Sequence, residues 1–450
     1  MAGKFCEEYQ SKLRTADEAV KIVKSGDWVE YGEFVMQAKE CDAALAKRKE
    51  ELRDVKIRGV CMTMVPEVIK ADPERRHFLF NDWHYSGISR VLGSNNLCNY
   101  IPLTYHEGPE LVERYVDIDV AFILATPMDS NGFFNLGCSN SVTPSVIDKA
   151  KRIVVEVNTS VPVCLGGNRE SIHISKVDYI VESTTNPQLF QLPELPVNDV
   201  DRKVAENIME EMEDGACIQL GIGALPNAVG ALIAKSGLKD LGVHTEMLVD
   251  SYVDMYESGR ITGTRKNIDK GKMVYTFAMG SQKLYDFLDN NPVCAINPVS
   301  YTNDPYIISR NDKVFGINNA LEIDLFGQVA SESTGPRHIS GTGGQLDFIH
   351  ASFKSHGGKG FICMSSTKNL KDGSTCTRIK PGLSPGTIVT VPRSLVYYVA
   401  TEYGVVNLKG LTTWQRAEAL ISIAHPSFRD ELIKAASDMK IWVRSSKLVS

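Results

Sequence analysis

Two stretches far apart in the chain repeat one local grammar, and that repeat constrains the fold more than any other feature. In the first, Thr15-Ala16-Asp17-Glu18 has capping-box spacing and opens a short helix carrying Ala19, Val20, Ile22 and Val23, which Gly26 stops. A short β-prone strand, Trp28 to Tyr31, then runs into Gly32. In the second, a helix from about Asp201 to Met212 stops at Gly215, and a strand from Ala216 to Leu220 runs into Gly221. Six positions separate the helix-stopping glycine from the strand-ending glycine in both places. Such a repeat suits two related halves, each built from alternating helices and strands.

Val120 to Ala125 and Ile153 to Val157 are near-continuous apolar runs between helical stretches, the pattern of strands buried on both faces of a parallel sheet. Each half is therefore expected to be α/β. A chain of 450 residues exceeds what one ordinary core organises. The segment Thr184 to Asn198, with Pro187, Pro193 and Pro196, reads as the linker, which sets a boundary at 195 and domains over 1–195 and 196–450. The second half offers further strands at Gly360 to Met364 and Thr387 to Val391. Its tail offers helices at Trp414 to Ala424 and Phe428 to Met439.

Charge and cysteine usage exclude whole classes of function. With 49 basic against 55 acidic residues and no Lys/Arg block, nothing matches a nucleic-acid backbone. No apolar run approaches the roughly 18 residues that span a bilayer, and the N-terminus lacks a signal-peptide core, so no membrane partner is expected and the cytoplasm is the expected location. Ten cysteines occur without Cys-x-x-Cys spacing and nine histidines without His-x-x-x-His spacing, so no metal site is expected.

Three places remain where chemistry is concentrated. The turn Gly221-Ile222-Gly223-Ala224-Leu225-Pro226 follows a strand and leads into a helix, a geometry that can hold a phosphate or a developing oxyanion on backbone amides, or can be a tight turn and nothing more. Pro226 stands where the dinucleotide fingerprint needs a third glycine. Gly341-Thr342-Gly343-Gly344, just before Leu346, Phe348 and Ile349, is a second glycine loop leading into a buried element. Between them lies His244-Thr245-Glu246-Met247, where Glu246 sits among Val243, Met247, Leu248 and Val249; a carboxylate in so apolar a segment needs a reason. His244 is read as a packing residue rather than a base, and Glu332 is the rival carboxylate. Asp129, Asn131 and Gly132 read as a turn.

The residues His244 to Asp250, Gly221 to Pro226, Ile339 to Gln345 and Thr401 to Asn407 together resemble the class I CoA-transferases of the acetyl-CoA hydrolase/transferase family. Over Met247 to Tyr256 the likeness is to the butyryl-CoA:acetate members more than to the 4-hydroxybutyrate members. The resemblance implies two related open α/β domains of the CoA-transferase type with the active site at their interface. It implies Glu246 as the catalytic residue that carries CoA, with Gly221, Ile222, Gly223, Ala224, Leu225, Gly341, Gly343 and Gly344 contacting CoA or the acyl group. It also implies acyl-CoA and acetate as substrates, CoA as co-substrate with no permanently bound cofactor, and a homodimer or larger homo-oligomer. A 4-hydroxybutyrate CoA-transferase, an acyl-CoA hydrolase on the same scaffold and a non-catalytic nucleotide-binding module are the competing readings.

Overall fold

The computed structural model describes residues 4–193, 196–221 and 223–442. Ile222 and the expected boundary at Leu195 lie outside the described residues. Contacts divide the chain into two compact units, the first made of residues 1–193, 245–250 and 272–304, the second of 194–244, 251–271 and 305–450. The segment around Glu246 is drawn into the first unit by hydrogen bonds that no local pattern announces: Ala278 N donates to Cys138 O (2.8 Å), and Phe277 N donates to Glu246 O (3.3 Å).

The core of the first unit is a parallel sheet of β1 (Trp28–Glu33), β2 (Val55–Val60), β3 (Phe78–Asp82), β4 (Asn99–Tyr100), β5 (Val120–Ala125), β6 (Arg152–Val157) and β7 (Tyr179–Glu182), in the order β7-β6-β5-β1-β2-β3-β4. Every residue of β5 and all but the first of β6 are buried, as their apolar runs require. The strand β1 runs through Gly32 instead of ending there. At φ +82° Gly32 lets the chain bulge, the register with β2 shifts between Glu30 and Glu33, and Glu33 is carried past the bulge. Carboxylates near the strand ends tie down the following loops through backbone N–H groups: Asp82 accepts from Cys61 (2.9 Å) and His84 (3.0 Å), and Glu156 from Cys41 (2.9 Å).

In the second unit β8 (Cys217–Leu220), β9 (Gly242–His244), β10 (Val314–Asn319), β11 (Lys359–Cys363), β12 (Tyr398–Thr401) and β13 (Gly404–Asn407) run in the order β9-β8-β10-β11-β12-β13, parallel except for the β12–β13 hairpin. Both units are thus α/β with parallel sheets. Helices Asp199–Met209, Thr413–Ser422 and Pro426–Asp438 lie where the sequence patterns place them. Thr387 to Val391 forms no strand; Val391 makes an isolated bridge to Val329, with Pro385 and Pro392 enclosing the segment.

Candidate active site

The chain fixes Glu246 by immobilising its neighbours. Thr245 is fully buried and Met247 nearly so, and the Thr245 hydroxyl donates to Met247 O (3.0 Å), which buckles the backbone around Glu246. Thr245 N donates to Val274 O (2.9 Å), while Glu246 O accepts from Thr276 N (3.0 Å) and Phe277 N (3.3 Å). Only the Glu246 side chain reaches partial exposure between two buried residues.

Its carboxylate has a specific partner: Asn303 Nδ2 donates to Oε2 at 2.7 Å. Asn303 is completely buried at the C-cap of the short helix Val299–Thr302, and its own N–H donates to Val299 O (2.9 Å). A buried amide that donates to one carboxylate oxygen fixes the orientation of the whole group. Burial pushes the Cys61 thiol up, and the charges of Asp82 and Glu246 push the same way. Burial likewise keeps the Tyr105 phenol neutral, reinforced by Glu33 and Glu246. Both groups lie within electrostatic reach of Glu246, and neither is a base that could activate it. His244 is wholly buried at the end of β9.

In the second unit the two glycine elements come together at the carboxyl end of the sheet, where ligands of open α/β folds bind. Gly223 is the N-cap of helix Ala224–Lys235, no side chain caps that helix, and Ala224 and Leu225 occupy its first turn. A Cβ on Gly223 would stand 3.4 Å from Asn319 Nδ2. Asn319 O in turn accepts from the side chain of Gln345 (2.7 Å), the first residue of the helix that begins after Gly344. The outward-pointing amides expected of the turn need one correction. Gly221 N donates to Ile317 O (3.0 Å), so the β8–β10 ladder consumes it.

Gly223 has φ +119°, open only to glycine at ordinary cost, whereas Gly344 has φ −93°. Gly223→Ala is therefore expected to lower stability by about 1–3 kcal/mol. Gly344→Ala is expected to leave it nearly unchanged, and equal losses in a denaturant titration of the two variants would contradict this.

Glu332, the rival carboxylate, is committed to holding the second loop. It accepts from the hydroxyls of Thr342 (3.2 Å) and Thr390 (3.2 Å), and its carbonyl accepts from Ile339 N (2.7 Å) and Ser340 N (3.2 Å). At 4% exposure it supports the glycine loop and cannot present itself to a substrate. Gly343 within that loop has φ +54°. Asp129 makes the expected turn, its Oδ1 accepting from Asn131 N (2.9 Å) and Phe133 N (2.8 Å). Asn303, Asn319, Tyr105 and Glu33 were not marked by any sequence motif. Among the described residues no group of three or more His, Cys, Asp or Glu could hold a metal, and no helix is long and apolar enough to cross a membrane.

Comparison with known proteins gives this arrangement a context. Residues 3–189 match the model of the acetyl-CoA hydrolase/transferase N-terminal domain, and residues 280–436 that of the C-terminal domain. The butyryl-CoA:acetate CoA-transferase of Anaerostipes caccae is 51% identical over 445 residues, 98% of this chain and 100% of its own. A probable butyrate:acetyl-CoA coenzyme A-transferase of Syntrophomonas wolfei is also 51% identical, with 100% of both chains covered. The crystal structure of RipA from Yersinia pestis superposes with a TM-score of 0.88 at 34% identity, covering 98% of this chain and 100% of that one.

Proposed function

Because the chain belongs to the acetyl-CoA hydrolase/transferase family, we propose that it transfers CoA from a short-chain acyl-CoA, butyryl-CoA, to acetate, giving butyrate and acetyl-CoA. The observation that carries this reading is the carboxylate of Glu246, the accessible group of a buried segment, held through one oxygen by Asn303. A glutamate is already ionised at neutral pH by its ordinary titration, so a nucleophile of this kind needs no general base.

In the first half-reaction Oε1 of Glu246 attacks the thioester carbonyl, and CoA leaves as the thiolate to give a mixed anhydride. The thiolate then attacks the glutamyl carbonyl, butyrate departs, and a glutamyl-CoA thioester remains. Acetate reverses both steps and leaves as acetyl-CoA. When the thiolate adds to the glutamyl carbon, charge develops on Oε2, the oxygen to which Asn303 donates. A placed donor of that kind is worth about 3 kcal/mol to such a step. Gly223, Ala224, Leu225 and the Gly341, Gly343 and Gly344 loop are proposed to take CoA or the acyl group, with CoA a co-substrate and no permanently bound cofactor.

Protein incubated with butyryl-CoA is expected to become sensitive to hydroxylamine, and peptide mass mapping should place the hydroxamate on Glu246. A label elsewhere would displace Glu246 from this role. Initial rates should depend strictly on acetate with parallel double-reciprocal lines. Release of free CoA thiol at the same rate without acetate would make the chain a hydrolase instead.

A further inference from the structure

We infer that Glu33 is a positioning residue for Glu246, acting through a loop that it clasps. The inference rests on reading Glu246 as the group that takes up CoA. Glu33 lies just beyond the Gly32 bulge of β1 and is 3% exposed. Its Oε2 accepts from Ser139 Oγ (3.1 Å) and its Oε1 from Val142 N (3.2 Å), and the Ser141 hydroxyl is a third partner. A buried carboxylate with three donors from one short segment is the anchor of that segment.

The clasped loop holds both parts of the nucleophile's mount. Asn140 N and Ser141 N donate to Thr276 O (3.0 and 3.3 Å), and Cys138 O accepts from Ala278 N (2.8 Å). Thr276 and Phe277 are the residues whose N–H groups hold the Glu246 carbonyl. Ser141 O accepts from Val299 N (3.0 Å), at the start of the helix whose C-cap is Asn303. Ser141 keeps φ +37°, strained for a side-chain-bearing residue, and its hydroxyl also meets Tyr105 Oη (2.6 Å). Next to Glu33, Phe34 stacks on Phe277 with ring centroids 3.6 Å apart. Thus the end of β1 reaches the Thr276–Phe277 backbone that holds Glu246, through Phe34 directly and through Glu33 by way of the loop.

This arrangement has a titratable keystone. Burial pushes the Glu33 carboxyl up to about 7, against the pull of its three donors and with a smaller push from Glu30. The ionisable groups its charge meets are Glu30, ion-paired with Arg58, and Tyr105, held neutral by burial and reached also by Glu246; Cys138, next to Ser139 of the clasped loop, is likewise held neutral by burial. The anion accepts all three donors, whereas a protonated carboxyl gives up acceptor capacity and carries a proton that crowds one of them. The clasp therefore tightens as pH rises through about 7 and loosens as it falls.

The test compares wild type, Glu33→Gln and Ser139→Ala across pH 5.5–9, each first shown to be folded by its melting curve. Wild-type kcat is expected to fall on an acidic limb centred near the Glu33 value. Glu33→Gln should lose that limb and keep a pH-independent kcat about 10- to 100-fold below the wild-type plateau, the scale of a slightly misplaced nucleophile, with KM for butyryl-CoA changed no more than about 3-fold. Ser139→Ala removes one donor to the anion, so it should move the limb to higher pH even if Glu33→Gln fails to fold. If Glu33→Gln retains the wild-type kcat and limb, or Ser139→Ala leaves the limb in place, Glu33 is not the positioning group. Wild type that shows no hydroxylamine-sensitive Glu246 would instead overturn the underlying assignment of function.

Discussion

Glu246→Gln is expected to lose CoA transfer by on the order of 10⁴-fold or more in kcat, the scale seen when a covalent nucleophile is removed. The change is nearly isosteric. Gln can still present a carbonyl oxygen to Asn303, and the Glu246 backbone is held by Thr276 and Phe277, which the substitution does not touch. What disappears is the anionic oxygen, since an amide oxygen neither attacks a thioester at a useful rate nor forms a glutamyl thioester. The side chain is partly exposed and its main-chain ties are intact, so the melting temperature should move by no more than about 2 °C. Acetate-dependent formation of acetyl-CoA from butyryl-CoA gives the rate, and a variant that still turned over with ping-pong kinetics would show that the nucleophile lies elsewhere. Loss of transfer together with a collapsed melting curve would leave the carboxylate's part in folding, rather than chemistry, as the explanation.

Glu246 was legible in the sequence because burial chemistry marks it: a carboxylate inside Val243 to Val249 is costly unless it is used or paired. The glycine turn and loop were legible for a similar reason, since glycine stands where a backbone must bend. The structure confirms that need at Gly223 and Gly343 through their positive φ. Parallel strands such as Val120 to Ala125 announced themselves through unbroken apolar runs. Asn303 could not be found that way. It lies 57 positions from its partner, after a proline and a one-turn helix with no motif, and it acquires a role only when the chain brings it to Oε2. Glu33 was hidden by the bulge at Gly32, which the sequence presents as a strand end. The interleaving of the compact units was hidden too, because it depends on pairings such as Cys138 with Ala278 that no local period encodes. Local signals report which residues are expensive to bury; tertiary contacts decide which inexpensive residues they recruit.

Asn303→Ala should be the next most damaging substitution at this site, and its effect should separate chemistry from binding. The Asn303 amide is fully buried and 2.7 Å from Oε2 of Glu246, so in the resting enzyme it holds one carboxylate oxygen and with it the rotamer of the nucleophile. After the first attack that oxygen becomes the carbonyl oxygen of the glutamyl anhydride. When the thiolate adds, Oε2 carries the negative charge, and the same N–H becomes a charge-assisted donor. A group stronger in the transition state than in the ground state acts on kcat, not on KM. Removing one donor to an oxyanion costs about 3 kcal/mol, so kcat is expected to fall by roughly 10² to 10³ with KM for butyryl-CoA nearly unchanged. The hydroxylamine-sensitive adduct should still form on Glu246, only more slowly, because the nucleophilic oxygen remains. A variant in which KM rises while kcat is preserved would place Asn303 in substrate binding. One in which both constants match wild type would reduce the 2.7 Å contact to packing.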